Sequence, residues 1–318
     1  MISSRFGRRQ FLQGAVAGAC AAAVGLRPGF ALGAESGKPA AGKIGDFKLS
    51  LAEWSLHKAL RAKELTNLDF PRIARERFGF EAVEFVNQFF KSEVRNDAYL
   101  QDLKRRAADF GVTCVLIMID GEGDLSAADT AERSKAVVQH KAWVDAAAAL
   151  GCHAIRVNTG NNYSPTDVGA VADACSSLTE YGVSKNIGII CENHGGPSSD
   201  PNALVALMKR VNNPMFGTLP DFGNFPKSKA NGGYTIDIYD AIARMMPYAR
   251  GVSAKSYDFN PEGLETKLDY ARILKIVTDA GYKGHVGVEY EGERMSEADG
   301  IKATKKLLET IRGANYTG

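Results

Sequence analysis

Carboxylates stand at the ends of three largely apolar segments of the chain. Glu192 follows the run Ile187–Cys191, Glu289 follows the run Val286–Val288, and a third acid, Asp221, ends the segment FGTLPD. A charged group at the end of a buried segment is costly unless it is paired or bound to a metal. Three carboxylates at matching places therefore predict one shared functional site.

Two nitrogen-bearing side chains accompany these acids. His194 lies two residues after Glu192, and the alternation of side chains along a strand places both on the same side. We interpret His194 as a metal ligand, with a packed imidazole as the alternative. Lys255 follows the segment VSA and is interpreted as a catalytic residue near the substrate, with a solvated surface lysine as the alternative.

Other polar and aromatic residues fall inside or at the ends of comparable segments. Glu84 and Arg156 lie within segments that are otherwise apolar, so a substrate or each other are equally open as partners. Asn158 ends the segment that contains Arg156. Trp54 is interpreted as a face on which a sugar stacks, with core packing as the alternative. We assign all four to substrate binding.

The chain alternates short apolar segments with helical ones, which supplies a scaffold for these residues. Eight segments are predicted strands, at 47–54, 82–86, 112–119, 153–158, 187–192, 216–221, 251–255 and 285–290. Helices are predicted at about 69–78, 97–110, 129–150, 167–184, 201–211, 236–246, 267–280 and 296–312. This α/β pattern predicts a single-domain (β/α)8 TIM barrel, whose active site lies at the carboxyl ends of the strands. A doubly wound sheet is the alternative, but no G-x-G-x-x-G follows the first strand.

Composition excludes several classes of protein. The 318 residues carry 39 basic and 37 acidic side chains, a net charge of +2 that does not favour binding to nucleic acid. After the N-terminal region, the sequence contains no run of 18 apolar residues, so it predicts no membrane span there. The thiols of Cys114, Cys152, Cys175 and Cys191 are predicted to be buried, and their spacing selects no disulfide pair.

The N-terminal residues are typical of an export signal. Arg8 and Arg9, followed by x-Phe-Leu, resemble the twin-arginine signal, and the apolar run Ala15–Leu26 follows them. An amphipathic helix is the alternative. We predict that residues 1–34 are cleaved and that residues 35–318 form the barrel. The mature protein would then lack a membrane-inserted segment, carry a net charge of −2, and be periplasmic or otherwise exported.

Three motifs resemble those of a known family. They are Glu192-Asn-His-Gly-Gly196, Asp221-Phe-Gly-Asn-Phe225 and Gly287-Val-Glu-Tyr-Glu-Gly292. They are similar to motifs of the sugar phosphate isomerase/epimerase family, which are xylose isomerase-like TIM barrels. The resemblance covers about residues 45–312.

The resemblance implies a divalent metal such as Mn, Co, Zn or Mg, held by Glu192, Asp221 and Glu289. The family's usual histidine on the seventh strand is replaced by Ser253, a poorer ligand for a transition metal. His194 or water would then complete the ligand set. Asn224 stands near the place where the family often has a second histidine, and we assign it to substrate binding.

The reaction that the resemblance implies is isomerisation or epimerisation of an unphosphorylated sugar or keto-sugar. A metal would stabilise an enediolate, Glu192 and Glu289 would move the proton, and Lys255 would polarise the carbonyl. A lyase or dehydratase acting on a keto-sugar or inositol is an alternative that uses the same site. A periplasmic sugar-binding protein without catalysis is another, whereas five histidines are too few for a three-zinc phosphodiesterase. The predicted partner is a small sugar, and a homo-oligomer stays open.

Overall fold

The computed structural model describes residues 39–318, in which eight parallel strands form one sheet. In chain order they are β1 (Lys48–Ala52), β2 (Ala82–Val86), β3 (Thr113–Met118), β4 (Ala154–Val157), β5 (Gly188–Glu192), β6 (Phe216–Leu219), β7 (Val252–Ser256) and β8 (His285–Tyr290). Consecutive strands pair from β1 through β6, while β8 pairs with both β1 and β7. The predicted TIM barrel is confirmed, and the predicted export signal at residues 1–34 lies outside the described residues.

Helices cover the outside of the sheet. They are α1 (His57–Arg61), α2 (Phe70–Phe78), α3 (Asp97–Asp109), α4 (Thr130–Leu150), α5 (Gly169–Ser184), α6 (Pro201–Val211), α7 (Ile238–Met245), α8 (Tyr270–Asp279) and α9 (Glu297–Ile311). The short helix α1 was not predicted. Gly79 and Gly151 end α2 and α4 at φ values of 69° and 82°, where a side chain would be strained.

The barrel closes between β6 and β7 through a few backbone hydrogen bonds. The Phe222 amide donates to the Ser253 carbonyl at 3.1 Å, and the Ser253 amide donates to the Pro220 carbonyl at 3.0 Å. Asp221 and Ser253 consequently lie side by side in a parallel bridge. This seam brings the end of β6 against the middle of β7.

Side chains on alternate positions of the strands fill the barrel. Ala82 and Val86 belong to a small apolar cluster that is separate from the larger layer between sheet and helices. Glu84 lies between them in sequence, on the same side of β2. The same alternation places Arg156 above Ala154 on β4. Polar side chains of β2 and β4 therefore lie in the barrel interior next to its apolar residues.

Glu53, in the turn of 3₁₀ helix that follows β1, is a buried carboxylate outside the barrel strands. It accepts hydrogen bonds from the Val86 amide and from Asn67 Nδ2, both at 2.9 Å. Burial raises the pKa of Glu53 to about 8. The group ties the ends of β1 and β2 together.

The cysteine side chains are buried, as the sequence predicts. Cys114, Cys152, Cys175 and Cys191 are buried free thiols in the described part of the chain. Within residues 39–318, no helix is long and apolar enough to cross a membrane.

The carboxylate of Glu84 occupies space that a glycine on β8 leaves open. A Cβ atom at Gly287 would lie 2.6 Å from both carboxylate oxygens of Glu84, which is closer than real contacts allow. Ser50 Oγ donates to Glu84 Oε1 at 2.6 Å, and Glu84 Oε2 has no hydrogen-bond partner among residues 39–318. Burial raises the pKa of Glu84 to about 8.

We expect Gly287→Ala to lower the free energy of unfolding by about 1–3 kcal/mol, because it overpacks the barrel against Glu84. In the Glu84→Ala background the same substitution should cost close to nothing, since the clashing carboxylate is gone. Urea unfolding of the four proteins in this double-mutant cycle measures the coupling. Gly169→Ala is the control, because a Cβ there meets no atom within 4 Å. An equal cost in both backgrounds would show that Glu84 is not the group in contact.

Candidate active site

Three buried carboxylates meet at the carboxyl ends of their strands. Glu192 is the last residue of β5, Asp221 follows β6, and Glu289 lies near the end of β8. Their side chains are 0–5% exposed, and one oxygen from each lies within 4.8 Å of the others. We call these residues the acidic triad. Their approach is close enough for one cation to contact all three.

Two buried cations compensate part of this charge. Arg156 Nε lies 2.7 Å from Glu192 Oε2, and Arg156 Nη1 lies 2.7 Å from Asp120 Oδ1. Lys255 Nζ lies 2.7 Å from Glu289 Oε1 and 3.1 Å from Glu291 Oε2. Four carboxylates thus contact two cations, and Asp221 adds a fifth carboxyl group, so acidic groups outnumber cations in a region largely removed from water.

Ser253 joins two members of the triad. Its hydroxyl lies 2.6 Å from Asp221 Oδ2 and 2.8 Å from Glu289 Oε2. The other Asp221 oxygen accepts hydrogen bonds from the Gly223 and Asn224 amides, both at 2.8 Å. A hydroxyl has one proton and can donate it to only one acceptor at a time. Ser253 can therefore donate to only one of these two carboxylates at a time, so it compensates only part of their negative charge.

Burial and nearby charges act differently on the pKa values of the triad. Burial raises the pKa of Glu192 and that of Asp221 to about 7. Burial also disfavours ionised Glu289, but Lys255, the Ser253 hydroxyl and Arg156 together outweigh it and lower the pKa of Glu289. Burial acts in the same way on Asp120, where Arg156, with smaller contributions from His194 and Asn158, holds the pKa well below its ordinary value. A further cation would favour ionisation of Glu192 and Asp221.

One carboxylate oxygen of the triad lacks a well-formed hydrogen bond, although it has an ionic neighbour. Glu192 Oε1 accepts a hydrogen bond from Asn224 Nδ2 at 2.8 Å. Glu192 Oε2 and Arg156 Nε are close, but within residues 39–318 neither has a hydrogen-bond partner of acceptable geometry. A buried carboxylate oxygen without a hydrogen bond is costly. The acidic triad therefore suits a divalent cation, with Ser253 where a fourth side-chain ligand would stand.

A cavity of about 310 Å³ opens beside the triad. Its lining includes Trp54, Asp120, Arg156, Asn158, His194 and Glu289. Glu192 lies against Arg156, and Lys255 lies against Glu289, so both are one contact further from the cavity. The volume is at the lower end of the range of about 300–1,000 Å³ for small-molecule sites.

Most of the residues assigned from the sequence converge here. Asn158 Nδ2 donates to Asp120 Oδ1 at 2.7 Å, and Asn224 contacts Glu192 as described. Trp54 lines the cavity, stacks on His57 with ring centroids 4.9 Å apart, and donates its indole N–H to Glu291 Oε1. The ring therefore reaches the cavity while His57 and the Arg61 guanidinium, 4.9 Å from its centroid, pack against it.

Two assigned residues lie apart from the triad. His194 is exposed and lines the cavity, but it is outside the group of potential ligands that share the 4.8 Å distance among the described residues. Glu84 is buried against Ser50 and is not part of the cavity lining.

The sequence reasoning gave no role to Asp120 or Glu291, although each pairs with one of the two buried cations. A signal was present in both cases. Asp120 follows the apolar segment of β3 closely, and Glu291 lies two residues after Glu289. Alternation along a strand would have placed Glu291 on the side of Glu289.

Comparison with known proteins gives one local sequence relative. The C-glycoside deglycosidase alpha subunit of Arthrobacter globiformis is 34% identical over 73 residues. The match spans 22% of this chain and 21% of that relative. It therefore bears on one segment of each protein.

Solved structures share the fold over most of their length. A probable 3-DHS dehydratase involved in petrobactin synthesis, from Bacillus anthracis, is 18% identical with a TM-score of 0.62, covering 83% of this chain and 99% of its own. A sugar phosphate isomerase/epimerase from Parabacteroides distasonis is 16% identical with a TM-score of 0.61, covering 86% and 94%. A xylose isomerase-like TIM barrel protein from Mycobacterium smegmatis, in complex with magnesium, is 15% identical with a TM-score of 0.61, covering 83% and 96%. At these identities the likeness concerns the fold alone.

A family model extends the likeness to most of the chain. The model described as "Xylose isomerase-like TIM barrel" matches residues 72–312, from the first turn of α2 to the end of α9. The eight-stranded barrel and the carboxylates at its strand ends agree with that match. This chain belongs to the xylose isomerase-like TIM barrel family.

Proposed function

We propose that this protein is a sugar-modifying enzyme, a metal-assisted isomerase or epimerase of an unphosphorylated sugar or keto-sugar. The observation that carries the proposal is the acidic triad, three buried carboxylates within 4.8 Å of one another beside a cavity of about 310 Å³. A sugar phosphate isomerase/epimerase and a D-psicose 3-epimerase with the same fold support a sugar as the substrate.

Glu192, Asp221 and Glu289 would hold the metal. A bound divalent cation would supply Lewis-acid stabilisation of the negative charge that develops on the substrate oxygens. Carboxylate and hydroxyl donors favour Mg²⁺ or Mn²⁺ over softer ions, because the nitrogen ligand that Zn²⁺ and Co²⁺ prefer is replaced by Ser253. One structural relative is in complex with magnesium and another binds a zinc atom, so the preference rests on the donor set of this chain.

The remaining chemistry falls to the side chains of this chain. Glu289 lines the cavity, and Lys255 is the main neighbour that lowers its pKa, so it is placed to take a proton from the carbon next to a carbonyl. Glu192 is the second acid–base group in the proposal, and Asn224 and Arg156 hold its carboxylate. Trp54 would offer an apolar face to the sugar ring. The product of this proton transfer is an enediolate.

Substituting the triad should abolish metal binding. We expect Mn²⁺ to raise the melting temperature of the wild-type protein, because a ligand that binds only the folded state stabilises it. Glu192→Ala and Asp221→Ala should lose this increase and retain little manganese after dialysis. Glu53→Gln is the matched control, since it also changes a buried carboxylate but lies outside the triad. Unchanged manganese content in both triad variants would contradict the proposed site.

Glu192→Gln and Glu289→Gln should each abolish turnover, because each removes an acid–base group worth about 10²–10⁴-fold in rate. The assay is a screen of unphosphorylated sugars and 3-keto-glycosides for Mn²⁺-dependent reaction, with deuterium uptake from solvent followed by NMR. Circular dichroism should show an intact fold. Near-normal activity in both variants would rule out the assignment, and sugar binding without metal or proton exchange would favour a non-catalytic binding protein.

A lyase or dehydratase is the second candidate. It is favoured by the dehydratase among the structural neighbours and by the local match to a glycoside deglycosidase subunit. The same proton abstraction would form the same enediolate, which would then expel a leaving group in place of being reprotonated. Product analysis by NMR distinguishes the two, since only the lyase releases a leaving group.

We also propose export by the twin-arginine pathway, which underlies the choice of an unphosphorylated substrate. Arg8 and Arg9 carry this proposal. The full chain should appear in the periplasmic or otherwise exported fraction of cells, shortened by about the predicted signal. Arg8→Lys together with Arg9→Lys should retain it in the cytoplasm, because the paired guanidinium groups are the recognised feature. Equal export of both proteins would contradict the proposal.

A further inference from the structure

Two lysines and two tyrosines form a cluster beside the acidic triad. Lys227 Nζ lies 4.5 Å from the ring centroid of Tyr257 and 5.2 Å from that of Tyr234. Lys267 Nζ lies 4.8 Å from the centroid of Tyr257. The four residues come from the segment after β6, the residue after β7 and the segment before α8. We call them the lysine–tyrosine cluster.

Within residues 39–318, the two ammonium groups have no acidic partner. In the described part of the chain, no carboxylate oxygen forms a salt bridge with Lys227 or Lys267, whereas Arg156 and Lys255 each contact two acids. Asp258, the residue after Tyr257, is paired with Arg294 instead. Burial and the positive charge of Lys267 both lower the pKa of Lys227. An anion between the two ammonium groups would relieve their repulsion.

The cluster adjoins the loop that carries part of the triad. A Cβ atom at Gly223 would lie 2.5 Å from Tyr257 Oη and 2.9 Å from Lys255 Cγ, so only a glycine fits between them. Gly223 is two residues from Asp221 and next to Asn224, which contacts Glu192. The hydroxyl of Tyr257 is therefore separated from the side chain of Lys255 by one backbone segment.

Both tyrosine hydroxyls have capacity for a ligand. Tyr234 and Tyr257 each approach the Gly223 carbonyl at 3.5 Å, which is at the outer limit for an O–H···O hydrogen bond. The proton of each hydroxyl is therefore available for a shorter hydrogen bond to an acceptor on a ligand. Two ammonium groups and two phenol groups together form a set of donors suited to an anionic oxygen group.

We propose that the lysine–tyrosine cluster binds a carboxylate of the substrate, so that the enzyme acts on an acidic sugar, such as a uronate or keto-uronate. This inference rests on the proposed function and names its substrate class. The positive charge of the lysine–tyrosine cluster would also attract an anionic substrate to a site that is otherwise rich in carboxylates. Phosphate has the same donor requirements, but the proposed export favours a carboxylate.

Binding measurements on the purified protein supplied with Mn²⁺ test the proposal without requiring turnover. The probes are D-glucuronate and D-glucose, which differ in one carboxylate, and calorimetry at low ionic strength gives the dissociation constants. We expect glucuronate to bind at least about tenfold more tightly, the ratio for one charge-assisted contact. Increasing salt should reduce that preference because the lysines are exposed to solvent.

Lys227→Met with Lys267→Met should abolish the preference while leaving glucose affinity within about twofold. Lys302→Met with Lys306→Met is the matched control, because it removes two exposed lysines from α9 and should retain the preference. Absence of glucuronate binding, equal affinity for the two sugars, or a preference that survives Lys227→Met with Lys267→Met would each overturn the proposal.

Inorganic phosphate serves as the second arm of the experiment. Weak competition with glucuronate supports carboxylate as the natural group, whereas phosphate binding tighter than glucuronate overturns that choice. The outcome also separates this inference from the proposed function. If the protein prefers glucuronate but catalyses no proton exchange, the proposed role of the cluster stands and the isomerase function is contradicted. If it catalyses proton exchange on neutral sugars alone, the isomerase function stands and the proposed role of the cluster is contradicted.

Discussion

Compensation of buried charge is the constraint on which the active-site end of this barrel depends. The acidic triad is nearly inaccessible to water, and the isolated charges would be far too costly there. Arg156 and Lys255 make the arrangement possible, because each pairs with two carboxylates that belong to other strands or to the residues that follow them. The charges therefore act as cross-links as well as chemical groups. They leave a net negative site that a divalent cation would complete.

The seam between β6 and β7 decides how this charge is distributed. Asp221 and Ser253 are neighbours because the barrel closes there through isolated backbone hydrogen bonds in place of a continuous ladder. The pairing between β6 and β7 is short, and the loop after Asp221 turns inward beyond it. Amides of this loop donate to one oxygen of the Asp221 carboxylate, while Ser253 contacts the other oxygen. The same loop carries Gly223, whose missing side chain admits Tyr257. The backbone contacts that close the barrel therefore also position side chains of the site.

The serine on β7 separates this site from the histidine-containing pattern that its sequence resembles. A hydroxyl is smaller than an imidazole and is a weaker ligand for transition metals. In this structure Ser253 connects Asp221 to Glu289, which holds two would-be ligands at a fixed separation. The oxygen-rich environment that results favours hard cations. Lys255, two residues further along β7, is the main neighbour that lowers the pKa of Glu289.

The sequence by itself determined the repeating architecture and the candidate carboxylates. Apolar runs that alternate with amphipathic helices are local patterns, and eight repeats lead to the barrel that the structure confirms. An acid that ends such a run must lie at the carboxyl end of a strand, so Glu192, Asp221 and Glu289 were identifiable without coordinates. Chain length and composition likewise bounded the class of protein.

Only the tertiary structure decided which charges pair and which residues reach the cavity. The sequence placed Glu84 and Arg156 alike inside strands, yet Arg156 lines the cavity while Glu84 packs below it against Gly287. Glu291 and Asp120 became partners of the buried cations through strands that are distant in sequence. The physical reason is that such contacts depend on strand stagger and on the closure of the barrel, and neither leaves a local pattern in the chain.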